Sequence, residues 1–127
     1  MAKILIAEDE KDIRELIQIS LTFGGFDVVT VPNGKELVET AKAMKQKPDL
    51  IMSDVRMPLM TGYEACAMLK MIPELENIPV VFLSAKGQES EIQTGLDSGA
   101  HEYILKPFAP DELIKRVKDI IGQSAKK

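Results

Sequence analysis

PDLIMSDVRMPLMTG, residues 48–62, joins a Pro-Asp turn to a short apolar run, Leu50 to Met52, and then sets an acid, Asp54, just past it. The run is too continuous to be a strand with one wet face, and it reads as a strand covered on both sides. Working outward, four more runs share this character: Ile4 to Ala7, Val28 to Val31, Val80 to Leu83 and Tyr103 to Leu105. Helical spacing fills the intervals. Ile13, Leu16, Ile17 and Leu21 form one apolar set, Leu37, Val38, Ala41 and Met44 a second, and Ala65, Met68, Leu69 and Ile72 a third. Leu113, Ile114, Val117, Ile120 and Ile121 close the chain in the same pattern. Residues 88–98 are the weakest helical segment, with only Ile92 and Leu96 as an apolar face.

Gly24-Gly25, Pro48-Asp49, Pro79 and Gly99 punctuate these boundaries. The alternation predicts an α/β domain, (βα) repeated five times. Its doubly wound parallel sheet takes the flavodoxin-like strand order 2-1-3-4-5, with the switch point between strands 1 and 3. One domain is expected over residues 1–122, with 123–127 as a C-terminal tail or the start of a linker.

A chain of 127 residues buries enough surface to fold without disulfides or a structural metal. With 16 basic and 20 acidic side chains and a net charge of -4, it lacks the cationic excess of a nucleic-acid surface, so no direct nucleic-acid contact is expected. Cys66, the only cysteine, lies in an apolar helical stretch and reads as a buried small residue. Acids follow the first apolar run at once, which predicts neither a leader nor a membrane span and makes the cytoplasm the expected compartment.

In the predicted topology Asp9, Asp54, Ser84 and Lys106 all stand at strand carboxyl ends, where open α/β sheets place their chemistry. Glu8, Asp9 and Glu10 form an acidic cluster past strand 1, facing Asp54 across the switch point. Like charges this close are unfavourable without a cation, and hard carboxylate oxygens with room for water suit Mg²⁺, with Mn²⁺ as a substitute. A solvated acidic loop before a helix is the plainer account of the first three, and a cap or turn that of Asp54. Singly, Ser84 and Lys106 also have plain readings; together the four point to a carboxylate that accepts a phosphoryl group beside a metal.

At this point a resemblance becomes specific. IAEDE (6–10), PDLIMSDVRMPLMTGYE (48–64), FLSA (82–85) and GAHEYILKPF (99–108) resemble, in order and spacing, a receiver domain of the bacterial two-component response regulators. The likeness covers nearly the whole chain, and its extent is similar to that of the single-domain chemotaxis type. Pro58 and Gly62 stand four and eight residues after Asp54, as the family expects, and Lys106-Pro107-Phe108 also fits, where the family often has a cis bond.

The resemblance implies Asp54 as phosphoacceptor, Asp9 as principal metal ligand, Glu8 as the acid acting through water, and the Arg56 backbone carbonyl as a further ligand. Lys106 would contact the phosphoryl group. Ser84 and Tyr103 would form the switch pair, Ala85 would keep the approach open, and Arg56 and Lys86 would tune dephosphorylation. Glu8 and Ser84 replace the Asp and Thr of many members without removing a functional group. The implied partners are a sensor histidine kinase or phosphotransfer protein and a downstream output protein or effector domain. The output face would be built from residues 88–98, strand 5 and the last helix.

Asp97, Glu102 and Arg116 supply part of the charged set through which some members dimerise. Residues 88–98 contain no Lys or Arg, which predicts a monomer or weak homodimer. Met57 and Met60 fit either an exposed kinase contact or a Met-rich core fringe, and His101 reads as a surface residue. The implied role is signalling and not enzymatic turnover of a separate substrate. Three alternatives share parts of the pattern. A flavodoxin-type carrier would need a phosphate loop where the acids of 8–12 stand. A haloacid-dehalogenase-like aspartyl phosphatase would need an acid where Arg56 stands. A degenerate, docking-only receiver would lack part of the core set.

Overall fold

The computed structural model describes residues 2–55, 57, 59–85, 102–106 and 109–125, with the backbone alone at 84, 85, 102, 103, 105, 106 and 123–125. Five strands form one sheet: β1 (Lys3–Ala7), β2 (Asp27–Val31), β3 (Leu50–Asp54), β4 (Val80–Ala85) and β5 (Glu102–Lys106). All pairings are parallel and the order is β2-β1-β3-β4-β5, as the alternation of elements predicts. Three helices, α1 (Lys11–Phe23), α2 (Gly34–Ala43) and α3 (Gly62–Lys70), follow the first three strands, and a C-terminal helix spans Pro110–Ala125.

Period-2 alternation splits each strand's side chains between two cores. Leu5, Ala7, Ile51, Val80 and Phe82 pack with Leu37, Val38, Ala41, Ala65, Cys66 and Leu69 of α2 and α3. Ile4, Ile6, Leu50, Met52, Val81, Leu83 and Ile104 pack with Ile17 and Leu21 of α1 and Leu113, Val117 and Ile120 of the C-terminal helix. Both faces of the central strands are therefore dry, which is why their sequences are apolar at successive positions.

The helix boundaries have local causes. After α1, Gly24 stays right-handed while Gly25 takes φ 95°, and Phe26 N–H returns to the Leu21 carbonyl at 3.1 Å, closing the helix end over buried Phe26. Asn33 caps α2, its Oδ1 accepting from Glu36 N–H at 2.9 Å. Thr61 and Glu64 form a reciprocal capping box at the start of α3.

Two details differ from the sequence reading. Asp54 is the last residue of β3, not the first beyond it, because Ser53 and Asp54 keep pairing with β4. Leu16 and Met68, assigned to inward faces, are 46% and 44% exposed; Ser20 and Cys66 occupy the buried arcs instead. Of the two roles open to Met57 and Met60, the core fringe is the one seen, packed against the α2/α3 side, while Leu59 is exposed. The C-terminal helix runs on to Ala125, since Gln, Ser and Ala offer no helix stop. The weak segment 88–98, Arg56, Pro58, Lys86, Asp97, His101 and the Lys106-Pro107 bond lie outside the described residues.

Candidate functional site

The register brings the predicted positions to one edge. β1 and β3 pair up to Ala7 opposite Ser53, so the next residues, Glu8 and Asp54, stand side by side at the switch point. Asp54 pairs with Leu83, Leu83 with Ile104, Ser84 with Leu105 and Ala85 with Lys106. The backbones of Ser84 and Lys106 thus continue the same carboxyl edge, and Tyr103 stands within β5 opposite Phe82.

At the switch point three carboxylates converge. Glu8, Asp9 and Asp54 each offer an oxygen, and these oxygens lie within 4.8 Å of one another. Glu8 is fully buried and Asp54 is 7% exposed, whereas Asp9 is open to solvent. Three anions in so small a space, two out of water, are costly unless compensated. The donor set is all oxygen, and its open side at Asp9 leaves room for water. It therefore fits a hard divalent cation of the Mg²⁺ type.

The surrounding chain holds this arrangement in place. Glu8 N–H donates to the Val31 carbonyl at 3.1 Å, extending the β1–β2 pairing by one residue. The Glu8 carboxylate accepts from Glu10 N–H at 3.2 Å, and Arg14 Nη1 donates to the Glu8 carbonyl at 2.9 Å. On the β3 side, Ser53 Oγ donates to the Asp54 carbonyl at 2.9 Å. Gly62 N–H donates to the Val55 carbonyl at 2.8 Å, closing the base of the loop between β3 and α3. Among the described residues no buried side-chain nitrogen or oxygen lacks a hydrogen-bond partner.

Two features at this edge were not legible in advance. A Cβ on Gly62 would overlap the Asp54 carbonyl oxygen and lie 3.1 Å from Phe82 Cε1, so α3 begins in direct contact with the end of β3. Phe82 is further fixed by an edge-on contact with Tyr63, ring centroids 5.1 Å apart. Arg14, one turn into α1, is the other; its role in fastening Glu8 has no signal beyond a cation near acids. Glu10, grouped with its acidic neighbours in the sequence, is instead the residue preceding α1, where a negative charge suits the helix dipole.

A family profile described as "Response regulator receiver domain" matches residues 4–118. The chain belongs to that family. As a receiver it is a signalling module of two-component systems, of the phosphoacceptor class. Over 122 residues it is 40% identical to the alkaline phosphatase synthesis transcriptional regulatory protein PhoP of Bacillus subtilis, covering 96% of this chain and 49% of PhoP. The receiver spans about half the length of the curated relatives it matches.

Among solved structures, the chemotaxis response regulator CheY4 of Vibrio cholerae superposes with a TM-score of 0.87 at 32% identity, covering 94% of this chain and 98% of CheY4. The receiver domain of sensor histidine kinase PA1611 from Pseudomonas aeruginosa gives 0.87 at 28% identity, with 95% and 98% covered; it was solved with a magnesium ion coordinated in its active site cleft. These relatives include transcriptional, chemotactic and kinase-attached receivers, so they identify the family and not the single-domain type. Among the described residues no helix is long and apolar enough to cross a membrane.

Proposed function

We propose that this receiver accepts a phosphoryl group on Asp54 from the phosphohistidine of a sensor histidine kinase or phosphotransfer protein, with Mg²⁺ bound by the acidic cluster. The convergence of Glu8, Asp9 and Asp54 within 4.8 Å at the switch point carries this reading. An Asp54 carboxylate oxygen attacks phosphorus; the P–O bond forms as the P–N bond breaks, and the imidazole nitrogen keeps the bonding pair and takes a proton. Water later attacks the same phosphorus, releasing inorganic phosphate and restoring the carboxylate. Burial of Asp54 limits which water reaches it.

Asp9 and Asp54 would hold the cation, with Glu8 acting through water and the Arg56 carbonyl as a further ligand. When bound, Mg²⁺, or Mn²⁺ in its place, neutralises the carboxylates and the charge developing on the phosphoryl oxygens. Lys106 pairs with a phosphoryl oxygen and Ser84 donates a hydrogen bond to another. Ser84 and Tyr103 then bias the face formed by 88–98, β5 and the C-terminal helix between two packings, which an output protein or effector domain reads. Arg56 and Lys86 set the lifetime by controlling the attacking water. The receiver acts in the cytoplasm as a monomer or weak homodimer, and its own surface makes no nucleic-acid contact. The dehalogenase-like alternative is set aside because the match over residues 4–118 is to receivers.

Incubation with acetyl phosphate, with and without Mg²⁺, followed by intact mass, tests the reading. One phosphate should add to wild type in the presence of Mg²⁺ and none to Asp54→Asn. Labelling that ignores Mg²⁺, or persists in Asp54→Asn, would overturn it.

A further inference from the structure

The loop that follows Asp54 is wedged against a neighbouring helix. Leu59, 78% exposed, has φ 71°, in the left-handed region that a bulky L-residue adopts only at a cost. The next residue, Met60, touches the start of α2: a Cβ on Gly34 would come within 2.5 Å of the Met60 carbonyl oxygen and 3.1 Å of its carbonyl carbon and Cβ. Gly34 itself is fixed, being the first residue of α2 after the Asn33 cap, and is buried. At its other end the loop is pinned by the Gly62–Val55 hydrogen bond and by the contact of Gly62 with the Asp54 carbonyl. Met60 and Gly62 are therefore both held, one by α2 and the other by the end of β3. Only the absence of a side chain at 34 lets Met60 lie where it does, and Leu59 is bent left-handed to meet it.

We propose that Gly34 is a positioning residue for the Asp54 site: it fixes where Met60 lies, and through Met60 and Gly62 the placement of Asp54 at the end of β3. The inference rests on the phosphoacceptor reading above. Gly34 touches neither metal nor phosphoryl group; it acts through Met60. Any side chain at 34 pushes on backbone, not on the flexible end of a side chain, so the displacement passes from Met60 to Gly62 and the Asp54 carbonyl it abuts. Leu59 is where the loop can yield, because a glycine there adopts positive φ freely and lets the backbone move.

The test compares wild type, Gly34→Ala, Leu59→Val and the double variant Gly34→Ala/Leu59→Gly. Mg²⁺ affinity is measured by calorimetry and Asp54 labelling by acetyl phosphate, at a temperature where circular dichroism shows each protein folded. Gly34→Ala should weaken Mg²⁺ binding and slow labelling, each by about tenfold, since small misplacements at a reacting centre have large effects. The double variant should recover most of both. Leu59→Val keeps the test decisive if Gly34→Ala does not fold: the exposed side chain contributes little packing, yet a β-branched residue resists positive φ, so the same two losses are expected.

A lowered melting temperature in folded Gly34→Ala with wild-type Mg²⁺ affinity and labelling would make Gly34 merely structural and overturn the proposal. Unchanged affinity and labelling in Leu59→Val would do the same. Wild type that binds no Mg²⁺ and takes no phosphate would instead bring down the underlying reading of the site, and the proposal with it.

Discussion

The two ends of the sheet treat charge in opposite ways. At the amino end lysines are matched by acids and by carbonyls. Lys3 Nζ lies 3.6 Å from Asp27, and the Lys3 and Asp49 backbones and side chain interlock at 2.7–2.8 Å. Lys47 Nζ donates to the Ala41 and Lys42 carbonyls at the end of α2, and Lys70 Nζ to the Glu76 and Ile78 carbonyls beyond α3. At the carboxyl end acids collect: Glu8, Asp9 and Asp54 crowd together, with Glu10, Glu36 and Glu64 at nearby helix starts. Topology sorts them. In a parallel α/β sheet the helices run back against the strands, so their negative ends gather at one edge and their positive ends at the other. Cations at the first edge satisfy carbonyls and serve stability. Anions at the second exceed what capping requires, and that excess marks the working edge.

The largest effect is expected at Gly62. Gly62→Ala drives a methyl group into the Asp54 carbonyl, and urea unfolding should show a loss of about 3 kcal/mol, the upper range for overpacking a tight site. A loss below about 1 kcal/mol would mean that the strand end yields easily, since such values are typical of unremarkable substitutions.

A smaller effect is expected at the acidic cluster. Asp9→Asn removes one of three crowded charges at the exposed member, so the metal-free protein should gain up to about 1 kcal/mol, while Mg²⁺ should no longer raise its melting temperature as it does that of wild type. Loss of stability in the metal-free variant would show that the crowding is not costly.

How far the sequence alone reached is clearest at this edge. Apolar runs three or four residues long, separated by helical spacing, dictated five parallel strands and their order, because covered strands and crossover helices leave few arrangements. Asp54 and Asp9 were legible because strand-end acids are conspicuous against apolar flanks. That Glu8 is the buried member was not, since its burial comes from β2 pairing one residue past Ala7, a tertiary detail. Nor did anything about leucine announce a left-handed residue at 59, or Asn33-Gly34 a contact with Met60; an Asn-Gly pair reads first as a turn. Leu16 and Met68 were misjudged as inward-facing: the buried arc of α1 takes the small Ser20, and that of α3 Cys66, which the sequence already read as buried.

The smallest effect belongs to the amino end. Burial pushes the Lys70 ammonium below its ordinary 10.5, with Cys66 and Glu76 opposing that shift. A lowered folded-state value means that the unfolded chain binds more protons between that value and 10.5, so stability rises with pH across this alkaline window. Lys70→Met should flatten the rise. At neutral pH it should also cost on the order of 1 kcal/mol, as two carbonyls lose their donor. A steeper rise in the variant would reverse the sign assigned here.

Cys66 lies one turn into α3, 1% exposed, on the helix that begins against Asp54, and it is the chain's sole thiol. A reagent that modifies thiols reaches it only when α3 lifts from the sheet, so the protein carries its own clock for that opening. Reaction rates taken before and after phosphorylation would time how tightly the helix is held, with no label to be engineered and no second site to confuse the signal.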